Sequence, residues 1–103
     1  MITYMNNLKL FDHYSEILKA LAHPVRLCIA KGLLESPKSN VSKMQDCLQI
    51  PQSTLSQHLS KLKNAGVVTN ERRGTEMIYR ISNVKAERII KFLFEENSLE
   101  EEK

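Results

Sequence analysis

Side chains able to hydrogen-bond with nucleic acid gather in the stretch 50–66 of this 103-residue chain. Within it, Leu55, Leu59 and Leu62 recur at helical spacing and predict one narrow buried stripe. The remaining surface of this helix carries hydroxyls, amides and lysines, and no acid occurs among residues 52–64. Such groups read base edges and bind phosphates. The candidate DNA-contacting side chains here are Gln52, Ser53, Thr54, Ser56, Gln57, His58, Lys61 and Lys63.

Taken alone, this stretch leaves a second interpretation open, namely an ordinary surface helix with one buried face, because short motif-like stretches arise by chance. The ends of the helix are better marked. Pro51 suits a first helical position, and Gly66 suits the left-handed residue just past the end. The elements on either side therefore decide between the two interpretations.

A short helix is predicted upstream, over residues 41–48, after a polar loop at 35–39. Asn40 is a good N-cap for it. The brief turn Gln49-Ile50 then leads into Pro51. Two short helices joined by so short a link, the second polar on its outer face, form a helix-turn-helix.

Downstream of Gly66 the apolar period changes from helical to alternating. Residues 67–72 and 75–81 are rich in β-branched and aromatic types and predict two strands. The Arg73-Gly74 step between them predicts a tight hairpin, since glycine accepts a positive φ. A hairpin directly after such a helix is a wing, and Arg72 and Arg73 at its tip suit contact with phosphate or the minor groove.

The first and last helices have more apolar surface than one core can cover. Periodicity predicts the first over residues 8–21, a break at Ala22-His23-Pro24, and a second helix from Pro24 to about Leu34. The last helix follows Asn83, a good N-cap, and runs from Val84 to about Glu95. A second copy of the chain would cover the excess, so a twofold homodimer is predicted. Its interface residues are Leu10, Phe11, Tyr14, Ile89, Ile90, Leu93 and Phe94.

The charge distribution supports a nucleic-acid partner. Residues 1–94 carry 14 Lys and Arg against 7 Asp and Glu, whereas residues 95–103 carry five Glu and one Lys. A basic body of this kind favours DNA binding. We therefore expect one domain over residues 8–95, between a flexible N-terminus at 1–7 and an acidic flexible tail at 96–103.

The remaining composition argues against other classes of protein. No apolar run reaches the length of a membrane span and no signal-peptide pattern begins the chain, so a cytoplasmic protein without membrane contact is expected. The sequence offers no nucleophile with a base at plausible spacing and no glycine-rich phosphate loop. We therefore expect a protein that is not an enzyme.

Three segments together resemble a known family. LKALAHPVRL at 18–27, QSTLSQHL at 52–59 and LKNAGVV at 62–68 are similar to the signature, recognition helix and wing junction of the ArsR/SmtB family of bacterial winged-helix repressors. The resemblance is nearest to its PagR-like members, which lack a metal site.

This resemblance implies a mainly α winged helix-turn-helix of order α-α-α-α-β-β-α, which dimerises through its first and last helices. It further implies a repressor that binds an inverted-repeat operator in double-stranded DNA. In the family, the positions matching Gln52, Ser53, Ser56 and Gln57 approach bases.

The sensor positions of the family are not kept. The cysteines of its metal box fall on Asn40 and Ser42, and the last helix has no histidine, so no family-type metal site and no cofactor are expected. Thiol-sensing relatives pair a cysteine of the second helix with one of the last helix, which here has none. The favoured interpretation of Cys47 is a small buried hydrophobe.

Two alternatives stay open at this point. One is a thiol-redox or metal-responsive repressor that uses Cys28 and Cys47. The other is a winged-helix protein-interaction module, since a fold does not determine a function. An interaction module would more often carry acids or exposed aromatics on the outer face of the second helix.

Overall fold

The computed structural model describes residues 3–36 and 39–95. Its elements are α1 (Leu8–Leu21), α2 (Pro24–Glu35), β1 (Ser39–Asn40), α3 (Val41–Leu48), α4 (Gln52–Asn64), β2 (Val68–Arg73), β3 (Glu76–Ile81) and α5 (Val84–Phe94). The predicted order of five helices and a hairpin is confirmed, and β1 is added to it.

Side-chain caps begin three of the helices. Asn40 Oδ1 accepts from Lys43 N at 2.8 Å, and Asn83 Oδ1 accepts from Ala86 N at 2.9 Å, so both predicted caps are confirmed. At the start of α2, His23 Nδ1 accepts from Val25 N at 3.1 Å. Each such bond satisfies a backbone donor that the helix leaves free and contributes about 1 kcal/mol.

The short strand β1 was not predicted from the sequence, which indicated a polar loop there. It pairs antiparallel with β3, giving a three-stranded sheet in the order β1-β3-β2. Asn40 also donates from Nδ2 to Glu76 Oε2 at 2.9 Å. Two polar residues are too few to show a strand period, so only the contact with β3 defines this element.

Apolar side chains from all five helices and from β2 meet in one core. Ile17 of α1, Leu33 of α2 and Ile90 of α5 are at most 2% exposed. The three leucines of the α4 stripe lie among them. Burying each such side chain contributes about 1.5–3 kcal/mol, so this core holds α4 in place and determines which of its faces is exposed.

The two predicted flexible ends differ in what the structure describes. Residues 4–6 form a turn before α1, where Asn7 N donates to Tyr4 O at 3.2 Å and the Tyr4 ring lies 6.0 Å from that of Phe11. The predicted acidic tail at 96–103 lies outside the described residues. Among the helices of the described ranges, none is long and apolar enough to cross a bilayer.

Candidate nucleic-acid interface

The helix α4 presents two chemically different faces. Leu55, Leu59 and Leu62 are at most 1% exposed, which confirms the predicted stripe. The polar side chains outside this stripe are exposed, namely Gln52, Ser53, Ser56, Gln57, Lys61 and Lys63, while Thr54 is half-buried. Because α4 contains no acid, nothing on the helix itself repels a phosphate backbone.

The turn between α3 and α4 sets the angle at which this face emerges. Gln49 adopts a left-handed conformation with φ 59°, and its N–H donates to Gln45 O at 2.8 Å, closing α3. Pro51 is the N-cap of α4 rather than its first residue, so the helix begins one position later than predicted. The exit from α4 is as predicted, since Gly66 has φ 79°. These features confirm the helix-turn-helix.

The wing arginines lie on a strand, which corrects the prediction that they form the hairpin tip. Arg72 pairs with Met77 and Arg73 with Glu76, so the turn is Gly74-Thr75, with φ 63° at Gly74. Neighbouring residues of a strand point to opposite faces. The two arginines therefore cannot approach one DNA strand from the same side of the hairpin.

The two arginines also differ in charge environment. Arg73 Nη2 lies 3.1 Å from Glu71 Oε1, with the two side chains 60% and 52% exposed. An ion pair this exposed contributes little to stability, but it offsets part of the positive charge of Arg73. Arg72 is exposed and makes no ion pair with any residue in the described ranges. Arg72 therefore keeps its full positive charge, whereas that of Arg73 is partly offset.

His58 lies at the edge of the exposed α4 face and is engaged on one side. Arg26 Nη1 lies 3.2 Å from its Nδ1, and the His23 ring is 4.6 Å from its own. Arg26 is a buried charged residue, 8% exposed, and its Nε donates to Ala20 O at 2.6 Å. Burial, followed by the charges of His23, Arg26 and Lys61, lowers the pKa of His58 below its ordinary value of 6.5. The lowered pKa favours the neutral form of His58 at pH 7.

The predicted dimer residues do not all lie on the surface. Leu93 is 56% and Phe11 40% exposed, but Ile90 is 1% exposed. The prediction that Ile90 lines the interface is wrong, because its side chain is buried in the core of the protomer. The half-buried members of the predicted set are Leu10, Tyr14, Ile89 and Phe94.

Exposed apolar side chains nevertheless remain on both terminal helices. Leu8 and Leu18 of α1 are 42% and 53% exposed, and Phe92 of α5 is 76% exposed. Residues from the two helices also line one shallow cavity of about 340 Å³, where Lys85 Nζ meets the Tyr14 hydroxyl. Most of the exposed apolar side chains in the described ranges therefore belong to α1 and α5, as the sequence predicted, and Tyr4 and Met5 lie just before α1.

The two cysteines border one cavity. Cys28 of α2 and Cys47 of α3 are both free and exposed, and both line a cavity of about 430 Å³ together with Met44. The interpretation of Cys47 as a buried hydrophobe is therefore wrong, because its side of α3 faces the cavity rather than the core. In the described ranges, no three His, Cys, Asp or Glu side chains cluster to hold a metal ion.

The sequence did not predict a role for Arg26, although the residue lies in the segment LKALAHPVRL at 18–27. Its only local signal is a charge in the first turn of α2, between the apolar residues Val25 and Leu27. That it bridges α1 and α4 depends on how the helices pack.

Five helices, a helix-turn-helix with an acid-free outer face and an arginine-bearing hairpin define a winged helix-turn-helix protein. A family model described as "Bacterial regulatory protein, arsR family" matches residues 23–70. The transcriptional repressor PagR of Bacillus anthracis is 44% identical over 79 residues, which cover 77% of this chain and 79% of PagR. The chain belongs to the arsR family, and its membership in a family of regulatory proteins agrees with the expectation that it is not an enzyme.

Other relatives agree with this assignment. The HTH-type transcriptional repressor SmtB of Mycobacterium tuberculosis is 47% identical over 75 residues, which cover 73% of this chain but only 55% of SmtB. The crystal structure of PagR has a TM-score of 0.76 at 41% identity and covers 88% of this chain and 99% of its own. A homodimeric winged helix-turn-helix domain of Mycobacterium bovis has a TM-score of 0.77 at 28% identity, and the match covers 90% of this chain and 85% of that domain.

Proposed function

We propose that this chain is a homodimeric transcriptional repressor that binds an inverted-repeat operator in double-stranded DNA and acts in the cytoplasm. The observation that carries the proposal is the surface of α4, where Gln52, Ser53, Ser56 and Gln57 are exposed outside a fully buried leucine stripe. Relatives named as transcriptional repressors share this region.

In this function each protomer places α4 in a major groove. Glutamine can bind adenine through two hydrogen bonds, so Gln52 and Gln57 would read bases, with Ser53 and Ser56 contacting bases or phosphates. Lys61, Lys63 and the wing arginines would neutralise phosphates. Half-sites about 10 bp apart, or a multiple of this, match two such helices related by a twofold axis.

The exposed apolar side chains of α1 and α5 support the homodimer. Pairing with a second copy would remove Leu18, Phe92 and Leu93 from water. Each Å² of apolar surface buried in this way contributes about 25 cal/mol of favourable free energy. A homodimer of this kind has twofold symmetry, which matches the symmetry of an inverted repeat.

Selection of bound fragments from genomic DNA, followed by anisotropy titration on the enriched duplex, tests the proposal. If roughly 8 phosphates are neutralised per dimer, log K falls with log[salt] with a slope near −7. An enriched palindromic sequence bound more than about a thousandfold tighter than random duplex supports a specific repressor. A salt slope near zero, or equal affinity for every duplex, would refute it.

A second candidate adds a signal to this function. Cys28 and Cys47 are exposed and line the same cavity between α2 and the first helix of the helix-turn-helix. We propose that a peroxide oxidises the two thiols to a disulfide while it is reduced to water. A bond between α2 and α3 would shift the helix-turn-helix and change operator affinity.

A further inference from the structure

The cluster formed by His23, Arg26 and His58 joins the recognition helix α4 to the scaffold of α1 and α2. Arg26 lies within it with its Nε on the carbonyl of Ala20, in the last turn of α1, and its Nη1 on His58 Nδ1. Arginine has no acceptor atom and stays protonated, so it can only donate in both bonds. One side chain thus ties α4 to the C-terminal end of α1.

This geometry defines the protonation state of His58. Because Arg26 donates, Nδ1 of His58 must carry a lone pair, and the single proton of the neutral ring then lies on Nε2. A second proton would have to occupy Nδ1. That proton would replace the hydrogen bond with two donors facing each other at 3.2 Å, each on a positively charged group.

Within residues 3–36 and 39–95, the charges that act on His58 are all basic, so none of them would stabilise such a charge. The titratable and charged groups that face it are Arg26 and His23 at the start of α2 and Lys61 one turn further along α4. None of them is paired with a carboxylate in the described ranges. Protonation would therefore push α4 away from α2, and α4 is the helix that carries Gln57.

We infer that His58 is a positioning residue whose neutral ring, held by Arg26, keeps the recognition helix in its DNA-reading orientation, so that protonation of His58 releases the operator. The inference rests on the proposed function, because it predicts regulation of the same surface. It makes operator binding sensitive to acid, on the acid side of the range in which an unperturbed histidine titrates.

The direction of the pH effect distinguishes this role from a simple phosphate contact. A histidine that only touches phosphate binds DNA more tightly when it gains a positive charge. A histidine that must stay neutral to accept from Arg26 makes the protein bind DNA more weakly when it gains that charge.

The lowered pKa of His58 also affects folding stability. The unfolded chain takes up the proton first, so this contribution to stability is complete above about pH 6.5 and is lost as the pH falls through the lowered pKa.

The experiment is an anisotropy titration of the dimer on its selected operator from about pH 7.5 down to about pH 5, which extends well below an ordinary histidine pKa because that of His58 is lowered. The key variant is His58→Asn, whose Oδ1 lies near the position of Nδ1 and accepts from Arg26 but does not titrate. His13→Asn, on the outer side of α1, is the matched control. His23→Asn, which keeps an N-cap acceptor, is a second control that tests whether the other histidine of the cluster carries the effect. Circular dichroism at each pH confirms that every variant is folded.

The wild type and both control variants should lose operator affinity on acidification by about fivefold or more, while His58→Asn should not. His58→Leu, which leaves Arg26 without its acceptor, should be weakened at both pH values. Parallel profiles for the wild type and His58→Asn, or affinity that rises with acid in the wild type alone, would overturn the inference. Absence of specific binding by the wild type at neutral pH would instead refute the proposed function and the inference with it.

Discussion

The two faces of α4 can be separated by substitution, since one face stabilises the fold and the other is proposed to read DNA. Leu59 is 1% exposed and lies in the middle of the buried stripe. Leu59→Ala removes three buried carbons and leaves a cavity, which should lower the free energy of unfolding by about 2–5 kcal/mol. Against a total of about 5–15 kcal/mol for a domain of this size, that is a large loss.

Gln57→Ala is the matched change on the opposite face. Because the Gln57 side chain is exposed and makes no side-chain hydrogen bond in the described ranges, its truncation should change the free energy of unfolding by less than about 0.5 kcal/mol. Its effect should appear on the operator instead, as a loss of about 1–3 kcal/mol and a relaxed preference at one base position.

The assay is urea unfolding beside an operator titration, both at one protein concentration because dimerisation makes stability concentration-dependent. The chain has no tryptophan, so far-UV circular dichroism reports unfolding. After correction for the folded fraction, Leu59→Ala should bind the operator almost as the wild type does. If Gln57→Ala costs as much stability as Leu59→Ala, or weakens operator and random DNA equally, the assignment of the two faces is wrong.

Three further predictions concern the wing, the dimer and the thiols. Arg72→Ala should weaken binding to all sequences and reduce the magnitude of the salt slope by about 2 per dimer, more than Arg73→Ala does, because Glu71 already offsets Arg73. Leu93→Glu should split the dimer in sedimentation, because a charge would replace an exposed apolar contact, whereas Thr75→Glu at the hairpin turn should not. Peroxide should lower the mass of the wild type by about two hydrogens and change its operator affinity, and Cys28→Ser should abolish both effects.

Each of these has its own contradicting result. An unchanged salt slope in Arg72→Ala would remove the wing from the interface. A dimeric Leu93→Glu protein would place the interface elsewhere than on the end of α5. Oxidation of Cys28→Ser to the same product, or an oxidised wild type with unaltered affinity, would exclude the proposed disulfide as a signal.

The sequence by itself determined the helices and their ends, because the signals involved are local. Asn40 and Asn83 satisfy backbone donors within three residues, and Gly66 accepts a positive φ that other residues resist. The leucine spacing in α4 specified which face is buried, and thereby which polar side chains are exposed. Family motifs added the function that this pattern alone did not distinguish from a plain surface helix.

Tertiary structure decided everything that depends on a distant partner. Ile90 has the same residue type as any interface isoleucine, and only the packing of α5 places it in the core. Two polar residues became β1 because the edge of β3 lay beside them. Arg26 and His58 are 32 positions apart. Only the packing of α2 against α4 brings the Arg26 guanidinium to Nδ1 of His58 and so determines which ring nitrogen carries the proton. Such contacts arise from the arrangement of whole helices, which no local pattern encodes.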